Sequence, residues 1–217
     1  MDKKSSMMKD AIILCAITLI LGAVLAGVYM LTKDPIDNAQ KKTNNEACAV
    51  VVAQGDSVKD NDAEAVSGAA AYLSKHDLSN AEAKEGDLLS EYVEITEVHP
   101  TANGGKVYLA NALKGYGGKI SFALGVDAQS AITGIQITSE SETAGLGANC
   151  ENDEFKARFK GIKAPESTSE EMYNKNETTD TQVQALSGAT VTSRAITRAV
   201  KGILFYDASG KEAGQYE

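Results

Sequence analysis

Histidine and cysteine are scarce here: the 217-residue chain has two of the first and three of the second. His76 and His99 stand alone and read as ordinary surface or loop residues. Cys15, Cys48 and Cys150 make none of the short spacings that hold a metal. Cys48 and Cys150 have the option of pairing in an oxidising compartment, which spacing leaves open. Basic residues are outnumbered, 21 against 30 acidic, for a net charge of -9. No run of Lys and Arg interleaved with aromatics exists to neutralise phosphates, which excludes a nucleic-acid binder. Hydrolase order is missing too, with no Ser/His/Asp arrangement, no HExxH and no nicotinamide fingerprint. The glycines of GYGGKIS, from Gly115 to Ser121, do not make a P-loop, because Lys119 is followed by isoleucine.

Charge is absent from residues 11 to 31, where Cys15, Thr18 and Tyr29 are the least apolar side chains. A helix needs about 20 such residues to cross a bilayer core. A cleaved signal peptide would have a shorter apolar core followed by a small-residue cleavage site. Leu25-Ala26-Gly27-Val28 resembles a lipoprotein signal without its cysteine. The run is therefore read as a retained, single-pass membrane anchor. Lys3, Lys4 and Lys9 precede it while Lys33, Lys41 and Lys42 follow, so charge alone does not orient it. Gly22/Ala26 and Ala23/Gly27 are small pairs that permit close packing against another membrane helix.

Asp34-Pro35 is expected to end this helix, since proline disfavours helical geometry in the residue before it. A second helix is expected from Ile36 to Val52 and a third from Ala63 to Ser74, with polar stretches after each. From Glu91 the pattern turns to β. Strands are predicted over residues 92–98, 106–113, 119–126 and 131–139, separated by Asn103-Gly104-Gly105, Gly115-Tyr116-Gly117-Gly118 and residues 127–130. Such an antiparallel meander needs helices over one face, and residues 151–160 and 189–206 supply them. The fold class is α+β, an antiparallel sheet flanked by helices, with one N-terminal transmembrane helix. The expected division is a head (1–10), the span (11–31), a connecting helical segment (32–89) and a domain (90–217).

The stretch from Leu186 to Tyr206, LSGATVTSRAITRAVKGILFY, joins a hydroxyl-rich turn to a helix. Ala195, Ile196, Ala199, Val200 and Ile203 fill one face, while Arg194, Arg198 and Lys201 fall mostly on the other. Backbone N–H groups at the start of such a helix suit a phosphate. On spacing alone, Ser187 or Thr190 as a simple helix cap is the plainer reading. Val66-Ser67-Gly68-Ala69-Ala70 repeats the turn's letters with alanine in place of the last hydroxyl, so it is expected to carry nothing.

Ser187-Gly188-Ala189-Thr190 with Thr192-Ser193 resembles the flavinylation motif of the FMN-binding domain family. Gly115 to Ile120 and Glu142-Thr143-Ala144-Gly145-Leu146-Gly147-Ala148 resemble the family's flavin-contacting segments, in their usual order. Together with the anchor, the chain is most similar to the G-subunit family of Rnf-type ion-translocating ferredoxin:NAD oxidoreductases. The family usually has an aspartate three residues before the motif serine; here Gln184 stands there, and the nearest upstream acid is Asp180.

The resemblance implies an electron-transfer subunit with FMN joined by a phosphoester to Thr190 by a separate flavin transferase. Ser187, Gly188 and Ala189 would let the transferase approach, and Thr192, Ser193 and the helix start would hold phosphate. Tyr116, Gly117 and Gly118 would give a flat ligand room. Thr143 would bond the ring, with Leu146 against its apolar end and Gly145 and Gly147 in the same wall. Glu142 is the odd member, since a carboxylate raises the cost of negative charge on a reduced ring. The implied partners are other membrane subunits of such a complex, with the large domain extracytoplasmic and no complete catalysis by this chain alone. The dearth of catalytic constellations agrees with a carrier whose cofactor does the electron chemistry. Three other readings stand beside it: the C-subunit family of sodium-pumping NADH:quinone reductases, a free-standing extracytoplasmic flavin carrier, and a membrane-anchored binding domain without cofactor.

Overall fold

The computed structural model describes residues 2–77, 88–165 and 170–212. Residues up to Thr43 form one compact unit and those from Asn44 a second. Helix α1 runs from Asp2 to Val51. In the first unit its apolar side chains, among them Ile12, Leu19, Leu25 and Leu31, are all exposed. A helix apolar on every side has no use for water, and this one is long and apolar enough to cross a membrane. The expected break at Asp34-Pro35 does not occur, and Pro35 lies inside the helix. Proline removes one backbone donor, and the good helix formers Ala39, Gln40, Lys41 and Lys42 that follow sustain the ladder.

The second unit is built on a four-stranded antiparallel sheet in the order β1-β2-β3-β4. Its strands are β1 (Val93–Pro100), β2 (Lys106–Ala112), β3 (Ile120–Val126) and β4 (Ile132–Ser139). Asp127 closes the β3–β4 turn by accepting from the N–H groups of Gln129 at 2.8 Å and Ala131 at 2.9 Å. Every residue of β2 is buried, because both faces of the sheet are covered rather than the one expected. Tyr108, Ala110, Phe122 and Leu124 enter the main core. Their neighbours Val107, Leu109 and Ala123 point the opposite way, onto Ala47, Cys48 and Val51 at the end of α1. The Thr133 hydroxyl donates to the Val51 carbonyl at 2.5 Å. Gly125 makes this approach possible, since a Cβ there would run into that carbonyl.

The front face carries α4 (Thr190–Glu212) and α2 (Ala63–Leu73), with the short α3 (Asp153–Ala157) beside β4. Ala195, Ile196, Ala199, Val200 and Ile203 are buried together, as their spacing predicts. The Val66–Ala70 string lies in α2 and serves packing: Ala69 is fully buried, and the Tyr206 hydroxyl donates to the Ala65 carbonyl at 2.8 Å. Cys48 and Cys150 are unpaired and sit in different cores. Burial pushes their thiols up to about 11 and about 12 respectively, with nearby carboxylates adding to the effect. Both are therefore unreactive at neutral pH.

The basic side of α4 departs from expectation. Residues 170–184, which include the two-residue parallel strands β5 (Tyr173–Asn174) and β6 (Val183–Gln184), supply groups that cover it. The Arg194 guanidinium lies over the Tyr173 ring at 4.7 Å and Arg198 pairs with Glu171 at 2.9 Å. Lys201 is fully buried, its ammonium donating to the Glu170 carbonyl at 2.9 Å. Further along α4, Asp207 accepts from Lys106 and Tyr108, both at 2.7 Å, and from Ser130 at 2.6 Å. One carboxylate thus ties the helix to β2 and to the β3–β4 turn.

Asp207→Ala removes the acceptor that these three donors share and is expected to cost about 3–5 kcal/mol, measured by chemical denaturation of the full chain in detergent. Burial also pulls the Lys201 ammonium from 10.5 down to about 8. The unfolded chain then binds more protons than the folded one between these values. Stability should accordingly rise as pH climbs through that window, and Lys201→Met should flatten the rise.

Candidate functional site

Three separated segments meet at the N-terminal end of α4. They are the turn between β2 and β3, the loop after β4, and the turn into the helix. Between them lies a cleft of about 470 Å³ lined by Tyr116, Glu142, Thr143, Leu146, Gly147 and residues 188–192. That volume falls in the range of small-molecule sites.

Thr190 is the first residue of α4 and is half-buried on the cleft wall. Among the described residues no hydrogen bond engages its hydroxyl, so it is neither a cap nor part of a network. Gly188, with φ +74°, turns the chain into the helix, and Ala189 follows it under the cleft floor. Ser187 is exposed and lies outside the lining. Ser193 is fully buried and also outside it. Its hydroxyl accepts from the Leu186 N–H at 2.9 Å and donates to the Ala189 carbonyl at 3.0 Å. It therefore fastens the turn to the helix and points away from the cleft.

Thr192 lines the cleft but is only 1% exposed. Its hydroxyl donates to Glu142 Oε2 at 2.5 Å. The other Glu142 oxygen accepts from the Gly117 N–H at 2.8 Å. Tyr116 lines the cleft, while its neighbours Gly117 and Gly118 lie outside the lining. In the loop after β4, the Thr143 carbonyl accepts from Leu146 and Ala148 N–H, and Gly145 accepts from the Asn149 amide, which curls the loop into the 3-10 turn at Gly147–Glu151. Thr143 and Leu146 face the cleft as a result, and Gly145 does not line it.

One lining residue was not foreseen. Val191 is 51% exposed on the first turn of α4. Outside α1, the exposed large hydrophobic residues among those described are Tyr116, Leu146 and Val191, and all three line this cleft. Apolar side chains left open at one place, beside an uncommitted hydroxyl at a helix N-terminus, fit a flat apolar ring that carries a phosphate. FMN has that chemistry.

The comparisons with known proteins agree. Residues 115–204 match the FMN-binding domain and residues 1–51 match the RnfG N-terminal region. The chain is 29% identical over 193 residues to the G subunit of the proton-translocating ferredoxin:NAD(+) oxidoreductase complex of Clostridium ljungdahlii, covering 89% of this chain and 85% of that one. It is 32% identical over 116 residues to the Na(+)-translocating counterpart of Acetobacterium woodii, covering 49% and 53%. The G subunit of the ion-translocating oxidoreductase complex of Shewanella piezotolerans is 24% identical, covering 94% and 90%. Over these two stretches the chain is similar to G subunits of ion-translocating oxidoreductase complexes, with the FMN-binding domain match at residues 115–204 and the RnfG N-terminal match at residues 1–51.

Proposed function

We propose that this chain is an electron-transfer subunit of a membrane ion-translocating oxidoreductase of the Rnf type, acting between ferredoxin and NAD, with FMN held by a phosphoester to Thr190. The names of its relatives, each the G subunit of such a complex, support the assembly. The observation that carries the site is the convergence of Tyr116, Leu146 and Val191 on the cleft that Thr190 borders.

In this reading Thr190 is the attachment point, and its hydroxyl has no competing partner among the described residues. The N–H groups at the start of α4 favour the phosphate through the positive end of the helix dipole. Tyr116, Leu146 and Val191 would cover the ring and keep water from it, and Thr143 would bond its polar edge. FMN bound there would supply reversible one- or two-electron transfer. The chain's own work in this reading is to hold and orient it. A covalent link suits a domain on the extracytoplasmic side, where loose FMN would be lost, and it calls for a flavin transferase during maturation. The position usually held by aspartate in the motif has a local task here: the Gln184 amide donates to the Asn176 carbonyl at 2.8 Å. In this reading the apolar part of α1 would lie among neighbouring membrane subunits.

The test is in-gel fluorescence of the denatured protein after co-expression with a flavin transferase. The wild-type band should fluoresce and the Thr190→Ala band should be dark. A fluorescent Thr190→Ala band would remove Thr190 as the attachment point. Two dark bands would favour a membrane-anchored binding domain without flavin.

A further inference from the structure

Thr190 and Thr192 are two residues apart on α4, which turns their side chains about 200° from one another around the helix axis. Thr190 is half-buried with an unengaged hydroxyl, whereas Thr192 is buried and committed to Glu142. The motif's two threonines therefore do different work.

We infer that Glu142 and Thr192 form a positioning pair that holds the three walls of the cleft as one frame around the Thr190 hydroxyl. This rests on Thr190 being the flavin attachment point. The Glu142 carboxylate bridges chain segments 25 and 50 residues away, accepting from the Gly117 N–H through one oxygen and from the Thr192 hydroxyl through the other. It also belongs to the loop that carries Thr143 and Leu146, so a single side chain fixes all three segments. The surrounding glycines make room for it. A Cβ on Gly147 would lie 2.6 Å from Thr192 Oγ1 and 2.7 Å from Glu142 Oε2, and one on Gly115 would lie 2.8 Å from Glu142 Oε1. The glycine-rich loops thus admit the carboxylate as well as a ligand. Hydrogen bonds to a charged group are among the strong ones, and a buried carboxylate that loses a donor keeps its desolvation penalty. Removing the Thr192 hydroxyl should release the frame even though Thr192 need never touch the flavin.

The experiment uses the full chain in detergent, with two readouts. The first is hydrogen exchange at the Gly117 amide in the flavin-free protein. The second is the rate of covalent flavin incorporation by a flavin transferase. Thr192→Val keeps the shape of the side chain without its hydroxyl. It should speed exchange at Gly117 and slow incorporation by about tenfold or more. Thr192→Ser restores the hydroxyl and should recover both. The Glu142→Ala/Thr192→Val double variant should load no more slowly than Glu142→Ala alone, because the two residues act through one link. Unchanged Gly117 exchange in Thr192→Val, failure of Thr192→Ser to rescue, or multiplying losses in the double variant would each overturn the pair. A wild-type chain that takes up no covalent flavin would instead sink the attachment at Thr190, and the exchange readout would still judge the pair.

Discussion

Two strands with apolar side chains on both faces have to be covered twice, and the whole globular unit answers to that requirement. β2 and β3 send Tyr108, Ala110, Phe122 and Leu124 to the front and Val107, Leu109 and Ala123 to the back. The front takes the long amphipathic α4, with α2 packed at its side. The back takes the last turns of α1 with Val52 and Val58 beside them, a narrow cover that fits because Gly125 lets the Val51 carbonyl come close. Since α4 must lie along the sheet, its N-terminal end falls beside the β2–β3 turn and the loop leaving β4. The cleft is a by-product of covering the front face, and its polar wall is the exposed start of a helix whose remainder is core.

Two buried carboxylates in this arrangement act as ties. Asp207 gathers Lys106, Tyr108 and Ser130 near the C-terminal end of α4. Glu142 gathers Gly117 and Thr192 at its N-terminal end. A helix held only by its apolar stripe has freedom to slide and roll, because hydrophobic contact is not directional. Carboxylates with fixed donors at both ends remove that freedom. Register matters at this helix, where a roll would carry Thr190 away from the apolar side chains that face it.

Much of this was legible in the letters, and what was not has physical causes. Ala195, Ile196, Ala199, Val200 and Ile203 announce a helix face because burial on one side imposes a period near 3.6. The strands are marked by their β-branched residues and by Gly-rich turns. Pro35 misled because its penalty is local and a long ladder absorbs it. Lys201 misled because charge is read as solvent-facing, while residues 170–173 cover it in space and lie about thirty positions upstream. β5 and β6 are two residues each, too short to show any period. At the site, the motif strings mark which segments converge, but not which hydroxyl meets which acceptor. Thr190, Thr192 and Ser193 read alike as helix-start hydroxyls. The structure gives them three different situations: open to the cleft, bonded to Glu142, and turned back onto Leu186.

The back cover of the sheet has a practical side. Ala47, Cys48 and Val51 are the last helical residues of the chain's apolar N-terminal element, and they are also what keeps Val107, Leu109 and Ala123 dry. A soluble fragment begun after Val51 would not be a smaller domain. It would be a sheet with its rear side stripped, apt to stick to other copies of itself. A proteolytic cut there would leave the cleft intact in its covalent structure and yet undo the layer behind it. The division between the two compact units falls within α1, near residue 44, and not at the end of the helix.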